Sequence, residues 1–410
     1  MGRAALLGAL LEHNRALGMS TAIWGEGAAE AARQAVEAGV GTLPVCSAEE
    51  TGTALRLDTP LDLSYAVRCD APERLHFPVR GGLPGLETSP QTLEVALLKA
   101  GLVREWQGYH LLFKDGALVA DGSSAYWPLA GGVLAGGVLA EAGVMAPAEP
   151  QRTLELPEAF VVCDDLDTTN FCHFVCDLLP KIALAGECRR RIPIVIEPPT
   201  EPFQLELLAR VRERWGHPIV LLEPGLALKA ERLFYLRRAR HTHPLFRCSG
   251  FAMSWVRQLV EAKPAPAPPG SVLYLGRSSR RRVLHEDALI GALQRHTPRL
   301  QVVQKLGGLN VRQQAELVGS HEVVLGPHGA GFTHLLFAGA APQIALELMA
   351  EGNGTLTFAL ISAQLGIDHR IHVGQAVVTD QGPNYPDLEV DPEAVMALLK
   401  DDGNRYANNE

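Results

Sequence analysis

Apolar and polar positions keep a regular alternation along this chain, and the clearest stretch begins at Ser271. SVLYLGR (271–277) is an apolar run, followed by a helical pattern from Glu286 to Gln294, a second run LQVVQ (300–304), a helical pattern from Val311 to Val318, and a third run EVVLG (322–326). A glycine-rich loop and a short helix come next, then QIALEL (343–348), a helix near Leu356 to Leu365, and RIHVG (370–374). Short apolar runs alternating with helices predict a parallel sheet covered by helices on both faces. In such sheets ligands bind beyond the carboxyl ends of the strands, so Arg277 and the loop after Gly326 stand where a ligand would sit.

The same alternation, more loosely kept, runs through 158–262: AFVVC, a helix from Phe171 to about Ala185, IPIVIE (192–197), a helix around Phe203 to Arg214, PIVLL (218–222), and a helix from about Phe251 to Ala262. Within 90–126, YHLLF and ALVAD predict short antiparallel strands added to this half. KPAPAPPG (Lys263–Gly270) separates the two halves, and its prolines make a semi-rigid connector. The expected division is an N-terminal extension (1–88), small and α/β; an N-terminal Rossmann-like domain (89–262); a proline-rich hinge (263–270); a C-terminal Rossmann-like domain (271–390); and a C-terminal helix and tail (391–410). In the extension, Gly25-x-Gly27 opens an alanine-rich helix, but the third glycine of a dinucleotide fingerprint is missing and a plain packing turn explains it as well.

Composition narrows the partners. With 410 residues, 47% of them hydrophobic and 20% charged, the chain has the material for more than one packed core and does not read as disordered. Asp and Glu number 46 against 37 Lys and Arg, a net charge of -9, which argues against general nucleic-acid binding and leaves any anionic ligand to local basic clusters. The seven cysteines include no CxxC pair and do not form a disulfide framework in a chain of this length, so a reducing cytoplasm is expected. MGRAALLGALL runs straight into Glu12 and His13 and reads as an amphipathic helix rather than a signal peptide. The tandem AGGVL stretch before Glu141 falls short of the ~20 residues that span a bilayer, so no transmembrane segment is expected.

Candidate chemistry is densest in CDDLDTTNFCHFVCDLLPKI (Cys163–Ile182). Asn170 or Thr169 can cap a helix starting at Phe171. His173 and Asp177, four apart, share a helix face, and a carboxylate beside an imidazole orients a base; the competing reading is a polar pair on a solvated face. Asp165 and Asp167 form a DxD triplet of the kind that binds a divalent metal, though acidic residues also favour a helix N-terminus. Cys172 and Cys176 could share a metal, but no standard zinc spacing is present and small buried residues are the simpler account. After the first strand of the second half come Arg277, Ser278, Arg280, Arg281 and Arg282, whose guanidinium groups suit a pyrophosphate. GPHGAGFTH (Gly326–His334) follows another strand, and its glycines let backbone N–H groups approach an anion while His328 adds a donor.

Together these segments resemble glycosyltransferase family 61. NFCHFVCDLLPKI (170–182) is similar to its N-x-x-H-x-x-x-D-x-L-P signature, GRSSRRRVLHEDAL to its R-S-x-x-x-R-x-[IVL]-N-E segment, and LGPHGAGFTHLLFA with the following LEL to its H-G-A-G-L-T-N-x-x-F and E-L. The resemblance spans about 90 to 375. It implies a GT-B arrangement of two Rossmann-like domains, and an inverting, metal-independent transfer from a nucleoside-diphosphate sugar, with UDP as the expected nucleotide, to a glycan hydroxyl. No cofactor is required on this reading. Carried over, Arg277, Ser278, Arg282, His328, Gly329, Ala330 and Gly331 would hold the diphosphate. Glu286 and Glu347 would lie on the donor side, and His173 and Asp177, supported by Asn170, would face the acceptor. A lipid-linked acceptor could bring the protein to a membrane surface. Two positions depart from the pattern, His285 and His334, where the family has asparagine. The rival functions are a non-catalytic nucleotide- or glycan-binding protein and an NAD-dependent oxidoreductase built on Gly25 and Gly27.

Overall fold

The computed structural model describes residues 42–43, 45–46, 50–57, 67–75, 91–106, 109–115, 117–119, 144–145, 150–162, 168–188, 191–237, 250–339, 342–352, 357–379 and 386–400. The Gly25-x-Gly27 turn, the AGGVL repeat and the Asp165/Asp167 triplet lie outside them. The chain forms two compact units, one containing 90–255 with the residues before 59, the other containing 256–410 with residues 59–89. It is an α/β protein with a large sheet in each unit.

Its strands are β1 (Thr42–Leu43), β2 (Val45–Cys46), β3 (Glu50–Leu57), β4 (Val67–Cys69), β5 (Gln91–Trp106), β6 (Tyr109–Lys114), β7 (Ala117–Val119), β8 (Val144–Met145), β9 (Arg152–Val161), β10 (Ile194–Ile196), β11 (Ile219–Leu221) and β12 (Leu226–Arg237). Among the described residues β1 pairs only with β8. The first unit's sheet runs β11-β10-β9-β12-β5-β6-β7-β2, with β3 also on β5. β11, β10, β9 and β12 are mutually parallel, and β5, β6 and β7 continue the sheet antiparallel, as the alternation and the short strands after residue 90 predict. Among the strands that the periodicity missed is β12. It lies between β9 and β5, so LALKAERLFYLR is flanked on both edges and shows no clean alternation. Leu228, Ala230, Leu233 and Tyr235 from it join Val103, Leu112, Ala159 and Val195 in one buried cluster.

Helices α1 (Phe171–His173) and α2 (Leu179–Cys188) are separated by a π-helical turn, Phe174–Leu178, and α3 (Pro202–Trp215) links β10 to β11. Pro180 explains the wide turn. It has no N–H to give to the carbonyl of Cys176, and its ring crowds that carbonyl, so the ladder shifts and the Leu179 N–H bonds to the Phe174 carbonyl, five residues back.

The chain passes between the units within α4 (Gly250–Val260). The second unit's strands are β13 (Ser271–Leu275), β14 (Arg299–Val303), β15 (Val323–Pro327), β16 (Ile344–Ala350), β17 (Asp368–Val377) and β18 (Asp387–Glu389). The parallel run has the order β14-β13-β15-β16-β17, with β4 added parallel and β18 antiparallel on β17. The helices are α5 (Glu286–His296), α6 (Val311–Gly319), a 3-10 helix (Ala330–Phe337), α7 (Thr357–Leu365) and α8 (Pro392–Lys400). Val272, Tyr274, Leu346 and Leu348 face Leu289 and Leu293 of α5 and Val395 and Met396 of α8. Neighbours one position along, Leu273, Leu275 and Ala345, are buried too, so the sheet is covered on both faces. KPAPAPPG is tied into this unit, its Lys263 N–H donating to Glu316 (3.1 Å) and its Gly270 N–H to Glu322 (2.7 Å).

Candidate functional site

The strand order of the second unit reverses between β13 and β15. Chains leaving these two strands turn in opposite directions and open a crevice at their carboxyl ends, the usual place for a ligand in such a sheet. The arginine loop leaves β13 and the glycine loop leaves β15, so topology brings together two segments that lie about fifty residues apart. Arg277 bridges them, donating from Nη1 to the His328 carbonyl (3.0 Å) and from Nε to the Arg280 carbonyl (2.8 Å). Burial, followed by the nearby charges of Arg281 and Arg280, pushes its guanidinium down to about 10. The positive charge is therefore held in a partly desolvated place, where an anion is worth more to it than in water.

Two glycines make this approach possible. A side chain at Gly329 would overlap the Arg277 guanidinium, and one at Gly326 would overlap the Leu275 carbonyl of the neighbouring strand. The loop's rim is exposed at Ser278 and half-buried at Ala330 and Gly331.

His328 is fixed at backbone and side chain. Its N–H donates to the Leu348 carbonyl (2.9 Å), and its Nδ1 meets Glu347 Oε1 in a short hydrogen bond. Glu347 is fully buried on β16. Burial alone would raise its carboxyl, but the His328 charge and hydrogen bond, with a second hydrogen bond from His369, outweigh it and bring the carboxyl down to about 2.

The other two donor-side residues are engaged by structural partners. Glu286, first in α5, accepts from the Tyr274 hydroxyl (2.8 Å) and the Gln304 amide (2.6 Å), so both its oxygens tie helix to sheet. Arg282 pairs with buried Asp387 of β18, through its N–H (2.8 Å), Nε (2.9 Å) and Nη2 (2.6 Å). His285 has φ 54 and ψ 36, in the left-handed region, which asparagine and histidine enter more readily than most residues. Histidine and asparagine both suit that backbone conformation. His334, the other departure, is buried in the 3-10 helix, and burial pushes its imidazole down to about 3.

In the first unit the Asn170 side chain accepts from the Cys172 N–H (2.9 Å) and caps α1. His173 Nδ1 lies 3.0 Å from Asp177 Oδ2 within the π-helical turn, with Asp177 buried and His173 half-buried. In the tautomer that donates Nδ1–H to Asp177, Nε2 carries the lone pair that takes up a proton. The cap is braced by Gln204 of α3, which donates to the Thr168 carbonyl (2.8 Å) and accepts from the Thr200 and Glu201 N–H groups. Cys172 and Cys176 are buried and not joined in a disulfide, with their sulfurs 4.0 Å apart. Among the described residues there is no group of three or more His, Cys, Asp or Glu placed to hold a metal, and no helix long and apolar enough to cross a membrane.

Residues that the sequence pattern did not single out include Asp387, Gln304, His369 and Ser362. Only His369 carried a visible hint, as one of two histidines in the strand segment DHRIH.

It is the family comparison that makes the protein a glycosyltransferase. Residues 171–346, from α1 into β16, match the family model described as Glycosyltransferase 61. No curated protein matches the chain.

Proposed function

We propose that this glycosyltransferase moves a sugar from a nucleoside-diphosphate sugar, UDP-linked in our reading, to a hydroxyl of a glycan acceptor, with inversion and without a metal, on a GT-B arrangement of its two units. The observation that carries the donor side is the meeting of Arg277, His328 and Gly329 at the switch point of the second sheet. Arg277 and His328 would offer charge and N–H donors to the diphosphate, with Ser278, Ala330 and Gly331 on the rim. Arg282 and Glu286 would shape the loop through Asp387, Tyr274 and Gln304.

On the acceptor side, His173 oriented by Asp177 would take the hydroxyl proton. The acceptor oxygen attacks the anomeric carbon from the face opposite the leaving group. The bond from that carbon to the phosphate oxygen breaks, its electron pair passing to the diphosphate, which Arg277 and His328 stabilise.

The test is turnover of His173→Ala and Asp177→Ala against a panel of nucleotide-sugars. Loss of transfer, with UDP affinity kept, supports the assignment. Unchanged transfer in both variants overturns it, and UDP binding without turnover in the parent chain would make this a binding protein. Activity lost in EDTA and restored by Mn²⁺ would return the Asp165/Asp167 triplet as a metal site.

A further inference from the structure

Glu347 has one histidine more than a pair requires. Its Oε1 meets His328 Nδ1, and its Oε2 lies 3.1 Å from His369 Nε2 on β17. The contact chain then continues from His369 Nδ1 to the Ser362 hydroxyl of α7, at 2.9 Å. Glu347, His369 and Ser362 are each fully buried, and His328 is 7% exposed at the outer end. The order Ser–His–Glu looks like a nucleophile triad, but a hydroxyl with no exposed surface cannot meet a substrate.

Counting protons fixes the direction of the chain. An ionised carboxylate only accepts, so both ring nitrogens that face Glu347 carry hydrogen. In a neutral His369 with its hydrogen on Nε2, Nδ1 is the accepting nitrogen, and the Ser362 hydroxyl is the donor placed to supply it. A helical serine would otherwise bond back to a carbonyl of its own helix. With Oε2 satisfied this way, the remaining oxygen and the negative charge are directed at His328 Nδ1. His328 Nε2 is the one ring nitrogen the chain leaves over.

We infer that His369 and Ser362 are positioning residues of the donor site. Through Glu347 they fix the rotamer of His328 and keep a hydrogen on its Nδ1, so that Nε2 faces the diphosphate and the imidazolium form of the ring donates to it there. This rests on the donor-site reading above. Neither residue lies within the family match, which ends at residue 346.

The probe is UDP, titrated calorimetrically into the full chain and into His328→Ala, Ser362→Ala, Ser362→Thr and His369→Gln. Partners of this kind cost 10–100-fold in affinity or activity at metal sites, and a loss of roughly 10-fold is expected for Ser362→Ala and for His369→Gln. Ser362→Thr, which keeps the hydroxyl, should return to within about twofold of the parent. NMR of ring-labelled histidine supplies a readout that packing alone does not move: the His328 Nδ1-bound proton, present in the parent, should be lost or exchange-broadened in Ser362→Ala. The inference is overturned if Ser362→Ala and His369→Gln, folded by circular dichroism, bind UDP like the parent while His328→Ala does not. If UDP fails to bind the parent chain, or binds His328→Ala unchanged, the donor-site reading itself is wrong and the inference falls with it.

Discussion

At Gly329 and Glu347, single atoms decide what the site can do. Gly329 is glycine because Arg277 occupies the space a Cβ would take. Gly329→Ala should therefore displace the guanidinium and weaken UDP binding by about 10-fold, the worth of one charge-assisted hydrogen bond, with little change in circular dichroism. Isothermal titration checks this, and unchanged affinity would remove Arg277 from the site. Glu347 makes the second case. Its carboxyl is brought from 4.5 in a free side chain down to about 2 in the fold, so its ionised form contributes stability that is fully present above about pH 4.5 and lost as pH falls toward 2. Glu347→Gln leaves two histidines facing a neutral amide and should cost roughly 3–5 kcal/mol near neutrality. The gap between parent and variant in urea unfolding should narrow as pH is lowered through that window, and a constant gap would contradict an ionised Glu347.

Elements rather than single groups explain why sequence periodicity located some parts of the site and missed others. The helix at Phe171 was legible because its cap, its apolar run and the His173/Asp177 spacing are all local. Asn170→Ala should destabilise the first unit by about 1 kcal/mol, and Asn170→Ser should recover most of it, measured by chemical denaturation. The π-helical turn was not read from the pattern, although Pro180 was its visible cause. In the second unit, β13, β15 and β16 read as strands because strands buried on both faces form continuous apolar runs. The role of Arg282 was not readable, since its partner Asp387 lies 105 residues away. Arg282→Ala leaves a buried carboxylate short of its charged partner and should cost about 1–3 kcal/mol in stability. Its effect on UDP affinity should be smaller than that of Arg277→Ala. The reverse ranking would put Arg282 on the ligand.

Over the whole molecule, net charge and site charge point in opposite directions. A chain of net charge -9 gathers Arg277, Arg280, Arg281 and Arg282 in one loop, which suits a small anion at one sheet end and not a polyanion spread over a surface. A nucleotide-sugar that fits should raise the unfolding free energy by about 2.7 kcal/mol at a hundred times its Kd. A thermal-shift screen of nucleotide-sugars measures this. A cofactor preference for NAD in the same screen would instead favour the oxidoreductase reading. Residues before 89 also belong to this scale, because β3 pairs with β5 in the first unit while β4 pairs with β17 in the second, held there by Arg68–Asp368 and Asp70–His372.

Alternating apolar runs and helices, capping residues and glycine loops act over a few positions. For that reason the sequence by itself determined the α/β class, the parallel sheet of the second half, and the segments that carry chemistry. Strand order is a long-range property, and only the tertiary structure decided that the loops after β13 and β15 meet, that Arg282 and Glu286 turn toward Asp387 and Tyr274, and that Ser362, His369 and Glu347 stand in line behind His328. A buried polar group must find a partner wherever the fold provides one, and no local pattern specifies which residue that partner will be.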